Sequence, residues 1–285
     1  MRLCRFDDDR LGLITGGQVR DVTAVLDAIP PQRPPYPPFD PVILALPHLR
    51  GAILAEAEYA EARPLAGQRL LPPVWHPGKV VAAPVNYRKH LEEAREDPGL
   101  NHGRQVETIR KAGLFLKATS SLIGPSDPVR LRHLDRRNDH EVELAVIIGR
   151  RADRVPAAEA MKHVAGYCIG LDMTVRGTED RSFRKSGDTY TVLGPCMVTA
   201  DELGDPSDLA LELTVNGAVR QSASTRDLVL SVPELIEFAS AFYTLHPGDV
   251  LLTGTPEGVG PVEPGDIMIA SIARIGEMTV RVASG

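Results

Sequence analysis

The chain has 285 residues, 43% of them hydrophobic and 25% charged, the make-up of an ordinary soluble globular protein with room for one large domain or two unequal ones. Its net charge of -6 gives no reason to expect nucleic acid or an anionic membrane as a partner. The opening MRLCRFDDDRLGL has acids where a signal peptide needs its apolar core, no apolar run approaches membrane-spanning length, and Cys4, Cys168 and Cys196 show no CxxC spacing. A reducing cytoplasm is expected, without a disulfide framework or zinc knuckle.

In chain order, MRLCRFD and LGLITGGQVRDVT read as short strands, with a hairpin signal at Gly16 and Gly17. The run IPPQRPPYPPFDP, ending at Pro41, must be extended. It is expected as a stiff surface connector rather than a proline-rich ligand for a recognition module. LRGAILAEAEYAEA, Leu49 to Ala62, reads as a helix, and LPPVWHPGKV marks a boundary near residue 73. The expected organisation is a small N-terminal α+β domain over 1–73, including the proline-rich connector, and a larger domain over 74–285.

Beyond the boundary, strand-like segments dominate: KVVAA, LFLKA, NDHEVELAVIIGR, AGYCIGLDM, GPCMVT, LALELTVNG, DVLLTG, DIMIASIA and MTVRVA. Turn signals separate them, among them Asn216-Gly217, Pro247-Gly248-Asp249 and Pro264-Gly265-Asp266. The clearest helix is SVPELIEFASAFY, where Ser231 and Glu234 form a capping box around Pro233 and Leu235, Ile236, Phe238, Ala239 and Phe242 supply an apolar face. The fold class is α+β, mainly β, with peripheral helices.

The chemistry concentrates in NDHEVELAVIIGR, Asn138 to Arg150. Read with period two, Val142, Leu144, Val146 and Ile148 point one way, and Glu141, Glu143, Ala145 and Ile147 the other. Apolar residues on both faces imply a strand covered on both sides. A carboxylate buried there costs several kcal/mol unless a proton, a basic partner or a metal ion neutralises it. AGYCIGLDM ends on another such acid, Asp172. Three oxygen donors from two strands suit Mg²⁺, Mn²⁺ or Ca²⁺ rather than zinc, although E-x-E on a strand is also a common solvated pattern.

Taken together, DHEVELAVIIGR, GYCIGLDMTVRG, GDTYTVLGPCMVT, LTVNGAVRQSAST, LHPGDVLLTGTPEGVGPVEPGD and the earlier VNYRKHLEE resemble the fumarylacetoacetate hydrolase family, in the family's order, from residue 79 to the end. The resemblance implies a mixed β-roll catalytic domain, a homodimer, and a divalent metal, Mg²⁺ or Mn²⁺ with Ca²⁺ as a substitute, on Glu141, Glu143 and Asp172. It implies a general-base dyad of His90 and Glu93, which at i and i+3 on a short helix share a face. Lys185 matches a catalytic basic position. Arg176, Thr255, Tyr87 and Gly254 match positions in elements that contact a 2-oxo acid substrate. Three departures stand out. Ala83, Pro84 and Val85 occupy a turn where members usually carry glycine, His140 replaces a frequent tyrosine, and the link from Asp172 to Lys185 is short. Residues 94–113 match a lid that orders over substrate.

The implied activity is metal-dependent hydrolysis of an acylpyruvate or fumarylpyruvate-type 2,4-dioxo acid to pyruvate and a carboxylic acid. The same chemistry serves isomerisation of 2-hydroxy-dienoates and decarboxylation of acids such as oxaloacetate, as in aromatic catabolism. A non-catalytic β-roll with a structural metal is the reading from another class.

Overall fold

A computed structural model describes residues 1–285. Its centre is a mixed sheet in which Thr191–Thr199, Val164–Asp172, Val142–Ile148, Val250–Leu252 and Val80–Ala82 lie side by side. All of these neighbours are antiparallel except Val250–Leu252 with Val80–Ala82. A five-stranded sheet, built on Ala210–Val215, Ala218–Ser224, Ile267–Ile272 and Gly276–Ser284, packs nearby, and a small one joins Asn138–His140, Thr174–Val175 and Gly260–Pro261. Helices are few and peripheral, and none is long and apolar enough to cross a membrane.

The two faces of Val142–Ile148 enter different cores, as the period-two pattern requires. Val142, Leu144, Val146 and Ile148 pack with Leu211, Leu213 and Met268 of the five-stranded sheet. Ala145 and Ile147 pack with Ile43, Leu46 and Ile53 of the helix Pro41–Tyr59. The strand expected to run unbroken from Asn138 is broken at Glu141, and its neighbour is broken at Met173. At these adjacent breaks the chain leaves the central sheet for the small one, and Asp172 N–H still donates to the Glu141 carbonyl at 2.9 Å.

The N-terminal strands are Arg2–Phe6, Arg10–Thr15 and Gln18–Asp21, with Gly16 and Gly17 at the hairpin turn in left-handed backbone. They extend the central sheet, Leu3 pairing with Met197, so segments from both sides of residue 73 share one sheet. The helix expected from Leu49 begins earlier, at Pro41, and accommodates Pro47. Its start is fixed by Asp40, which is fully buried and accepts four backbone N–H groups: Val42 at 2.9 Å, Ile43 at 3.2 Å, Trp75 at 2.6 Å and His76 at 3.0 Å. The C-terminal helix Val232–Phe242 starts at its expected cap, Glu234 accepting from Ser231 N–H at 2.9 Å. Phe242 departs from its expected apolar face: it is 76% exposed and meets Phe238 edge-on.

Asp40 thus ties the long helix to the turn that follows residue 73. Asp40→Ala strands four donors at once, and is expected to cost about 2–4 kcal/mol of unfolding free energy in a urea titration. Asp40→Asn, which keeps one acceptor oxygen, is expected to lose less.

Candidate metal centre and catalytic cleft

The strand breaks deliver the acids. Glu141, Glu143 and Asp172 are buried, and one carboxylate oxygen of each lies within 4.8 Å of the others. Their surroundings differ. Glu141 receives Lys185 Nζ at 2.6 Å, Arg176 Nη2 at 2.9 Å and the Thr174 hydroxyl at 2.9 Å. Burial alone would raise its carboxyl, but the charges of Lys185 and Arg176 outweigh that and hold it well below the usual range. Asp172 receives Lys185 Nζ at 2.8 Å and a short contact from Lys117, whose Nζ also donates to the Tyr190 carbonyl at 2.8 Å. Burial pushes the Lys117 ammonium down, against the pull of Asp172.

Glu143 is the acid without a cation in contact. Burial, then the charges of Asp172 and Glu141, push its carboxyl well above the ordinary value, opposed by Lys185 and by Gly254 N–H, which donates at 2.6 Å. Gly254 has φ +98°, and a Cβ there would stand 2.7 Å from that of Asn86. Glycine therefore lets the loop approach close enough to make this bond. The donor set, three converging carboxylates with no histidine or cysteine, fits a hard divalent cation.

A second group reaches the same cleft from the helix Arg88–Glu96. His90 Nδ1 lies 2.8 Å from Glu93 Oε2, and Glu93 Oε1 accepts from Gly258 N–H at 2.9 Å. Gly258 sits at φ +90°, where a Cβ would come within 2.0 Å of the Arg220 carbonyl oxygen. Asn86, fully buried, holds the helix start: its amide donates to the Leu230 and Thr253 carbonyls at 3.0 and 2.8 Å and accepts from Leu230 N–H at 2.8 Å.

Of the residues singled out from the sequence, Glu141, Glu143, Asp172, His90, Lys185, Arg176 and Thr255 line one cleft. Glu93 stands behind His90. Tyr87 and Gly254 do not line it. The Tyr87 ring is in the core with its hydroxyl unpartnered, and Gly254 acts on Glu143. Val85 holds φ +44°, a strained conformation for a β-branched residue, and lines the cleft. His140 contacts Gln221 at 3.2 Å rather than a carboxylate. From the segment 94–113, Ala94, Leu100 and Val106 reach the cleft.

Several supporting residues carried no signal. Lys117 sat inside an apparent strand. Asp139, fully buried, accepts from Arg137 Nε and Arg176 Nε, each at 2.7 Å, and so aims Arg176. Gln221 spends its amide on Thr255 Oγ1 at 2.7 Å, the Pro256 carbonyl at 2.9 Å and Val142 N–H at 3.0 Å, pinning the TGTP loop to the central strand. Arg181 and Arg184 line the cleft without having been anticipated.

A buried carboxylate triad for a divalent ion, with a glutamate-oriented histidine on the same cleft, defines a candidate metal-dependent enzyme of carbonyl chemistry. Residues 79–283 match the fumarylacetoacetate (FAA) hydrolase C-terminal family, and the chain belongs to it. It is similar to the maleylpyruvate hydrolase of Aquipseudomonas alcaligenes, 55% identical over 286 residues and 100% of both chains. Among solved structures it resembles a maleylpyruvate hydrolase from Sphingobium sp. SYK-6 in complex with manganese(II) ion and pyruvate, with a TM-score of 0.85 and 44% identity over 100% of both chains. It also resembles 5-carboxymethyl-2-hydroxymuconate delta-isomerase from Mycobacterium smegmatis, with a TM-score of 0.74 and 33% identity over 100% of this chain and 99% of that one.

Because Glu143 holds its proton more tightly than a free glutamate, and a metal needs the carboxylate, Mn²⁺ uptake is expected to release a proton and to tighten as pH rises through the Glu143 pKa. Calorimetry in buffers of different ionisation enthalpy reads this directly. Glu143→Gln mimics the protonated state, so the metal-free fold should persist while Mn²⁺ affinity falls by about 100-fold or more. Unchanged affinity would remove Glu143 from the site.

Proposed function

We propose that this protein is a divalent-metal-dependent hydrolase that cleaves the C3–C4 bond of an acylpyruvate, with maleylpyruvate as the favoured substrate. The observation that carries the reading is geometric. The imidazole of His90, oriented by Glu93, opens on the same cleft as the carboxylate triad. Full-length similarity to maleylpyruvate hydrolases supports it. Glu141, Glu143 and Asp172 would hold the ion, Mg²⁺ or Mn²⁺, with Ca²⁺ as a substitute. When bound there, the ion supplies Lewis-acid polarisation of the 2-oxo group.

The rest falls to the chain's own residues. His90, engaged through Nδ1 with Glu93, has Nε2 left to take a proton from water, and Glu93 steadies the resulting imidazolium. The oxygen of that water bonds to C4. Lys185 lends positive charge to the C4 alkoxide. As the alkoxide collapses, the C3–C4 bond breaks and its electron pair passes to C3 and the 2-oxo group as the enolate of pyruvate. Protonation at C3 from His90 gives pyruvate, and the acyl fragment leaves as a carboxylic acid. The Thr255 hydroxyl accepts from the Gln221 amide at 2.7 Å and donates to the Val142 carbonyl at 3.0 Å, so Thr255 would meet the substrate's 1-carboxylate through its backbone N–H. The same reading takes the active assembly as a homodimer in the cytoplasm, in keeping with three free cysteines.

The similarity to a delta-isomerase keeps a second reading in play. There Lys185 would move a proton along the carbon chain and no water would be activated. His90→Ala separates the two. Cleavage of maleylpyruvate with Mn²⁺ is expected to fall by about 10²–10⁴-fold. Oxalate binding to the metal-loaded protein should stay near wild type, and Glu93→Gln should act in the same direction, more mildly. Cleavage retained within a few-fold by His90→Ala would sink the hydrolytic role of this residue.

A further inference from the structure

The link between Asp172 and Lys185 carries charges that the chemistry above leaves unused. Asp180 accepts from Ser182 N–H at 2.8 Å and starts a one-turn helix, Arg181–Arg184. Residues three apart on a helix share a face, and Arg181 and Arg184 both line the cleft, while Phe183 between them is 72% exposed. The other cations of the cleft are already paired. Arg176 serves Asp139 and Glu141, and Lys185 serves Glu141 and Asp172. Arg184 is different: its Nε and Nη1 are buried with no hydrogen-bond partner. Burial disfavours the charged form of both guanidinium groups, and Arg176 adds repulsion. Asp180 and Glu141 oppose this for Arg181, Glu141 and Asp172 for Arg184. Both remain cations at neutral pH. Unpaired buried donors of this kind are costly, and the structure retains two of them on a residue that lines the cleft.

The reading of the protein as an acylpyruvate hydrolase, on which this step rests, accounts for one end of the substrate only. The triad and Thr255 serve the pyruvate half, and Lys185 the C4 oxygen next to it. Most of the remaining wall is apolar, with Val85, Leu100, Val106 and Phe115, and offers nothing to a second charge. We propose that Arg181 and Arg184 form the subsite for a carboxylate at the far end of the acyl group, so that the enzyme selects dicarboxylic over monocarboxylic acylpyruvates. Planar guanidinium groups suit a carboxylate, which accepts through both oxygens.

The test compares kcat/KM on maleylpyruvate and on acetylpyruvate, whose acyl group is uncharged, in the Mn²⁺-loaded wild type, Arg184→Met and Arg181→Met. Arg184→Met is expected to lose about 100-fold on maleylpyruvate and to stay within about threefold on acetylpyruvate, with Arg181→Met following in the same direction. Equal losses on both substrates would assign Arg184 to the pyruvate half or to the fold, and no loss would take it out of the site; either overturns the proposal. A second readout needs no turnover. Maleate is titrated calorimetrically into the Mn²⁺-loaded protein saturated with oxalate, which occupies the pyruvate half. Wild type should bind maleate, and Arg184→Met should bind it about 100-fold more weakly with oxalate affinity unchanged. Maleate binding that is absent from wild type or equal in the variant refutes the subsite. Wild type that releases pyruvate from neither substrate fails the hydrolase reading alone, and the maleate titration still decides the arginines.

Discussion

Everything at the centre of this molecule follows from burying three carboxylates where two strands break. An unpaired buried carboxylate is unaffordable, and the structure meets the cost differently at each position. Glu141 is neutralised by contact with Lys185 and Arg176, and Asp172 by Lys117 and Lys185. Glu143, left with a backbone N–H, is pushed toward its protonated form. The three remedies that burial demands, a proton, a basic partner or a metal, are therefore not exclusive alternatives. The first two hold the triad together without an ion, and a divalent cation entering there would have to displace the proton and compete with the Lys185 ammonium for the same oxygens. Metal occupancy and the freedom of Lys185 would thereby be linked.

The supports explain how such a site holds its shape. The carboxylates come from the strongest part of the fold, strands flanked on both faces by packed apolar side chains. The proposed base, His90, comes from elsewhere, a helix tethered through Asn86 to the strand end at Thr253 and through Glu93 to Gly258. The loop from Thr253 to Gly258 is thus the common reference. It receives Asn86, touches Glu143 through Gly254, is pinned by Gln221 through Thr255 and Pro256, and holds Glu93. Fixing both halves of the chemistry to one glycine-bearing loop sets their separation without a large interface between them.

How far the sequence disclosed this depended on whether a residue's surroundings left a mark on its neighbours. The central strand was legible because alternation is imposed by two cores, and the same alternation exposed Glu141 and Glu143 as misplaced acids. His90 and Glu93 were legible only through resemblance, since a histidine on a polar helix has no local signature. Lys117 was invisible: a lysine near the end of a short strand ordinarily carries its charge to solvent, and only the fold turns it inward onto Asp172. Gln221 lies in a hairpin after Asn216-Gly217, where polar residues are the default. The break at Glu141 was hidden because the chain exchanges pairing partners there with no change in residue character. At the other end, the density of prolines from Pro30 and the interior Pro47 masked a helix that starts at Pro41 because proline suits a first turn capped by Asp40.

The link from Gly177 to Arg184 shows why site and specificity separate along the chain. The carboxylate triad and the His90–Glu93 pair are locked by hydrogen bonds to other framework groups, so a change in any of them propagates. Arg181 and Arg184 make no ion pair and sit on a single helical turn. Asp180, Glu141 and Asp172 attract them without locking either guanidinium in an ion pair, which leaves both free to answer to a ligand. Arg176, only five residues before Arg181, has the opposite character: its guanidinium is fixed by Asp139 and by Glu141 and belongs to the carboxylate framework. Within one short segment, then, the arginine with carboxylate partners keeps the machinery in place, and those without them face what the machinery acts upon. On that division, the chemistry of the pyruvate half follows from the strands, and the identity of the acyl half from a turn that the strands merely carry.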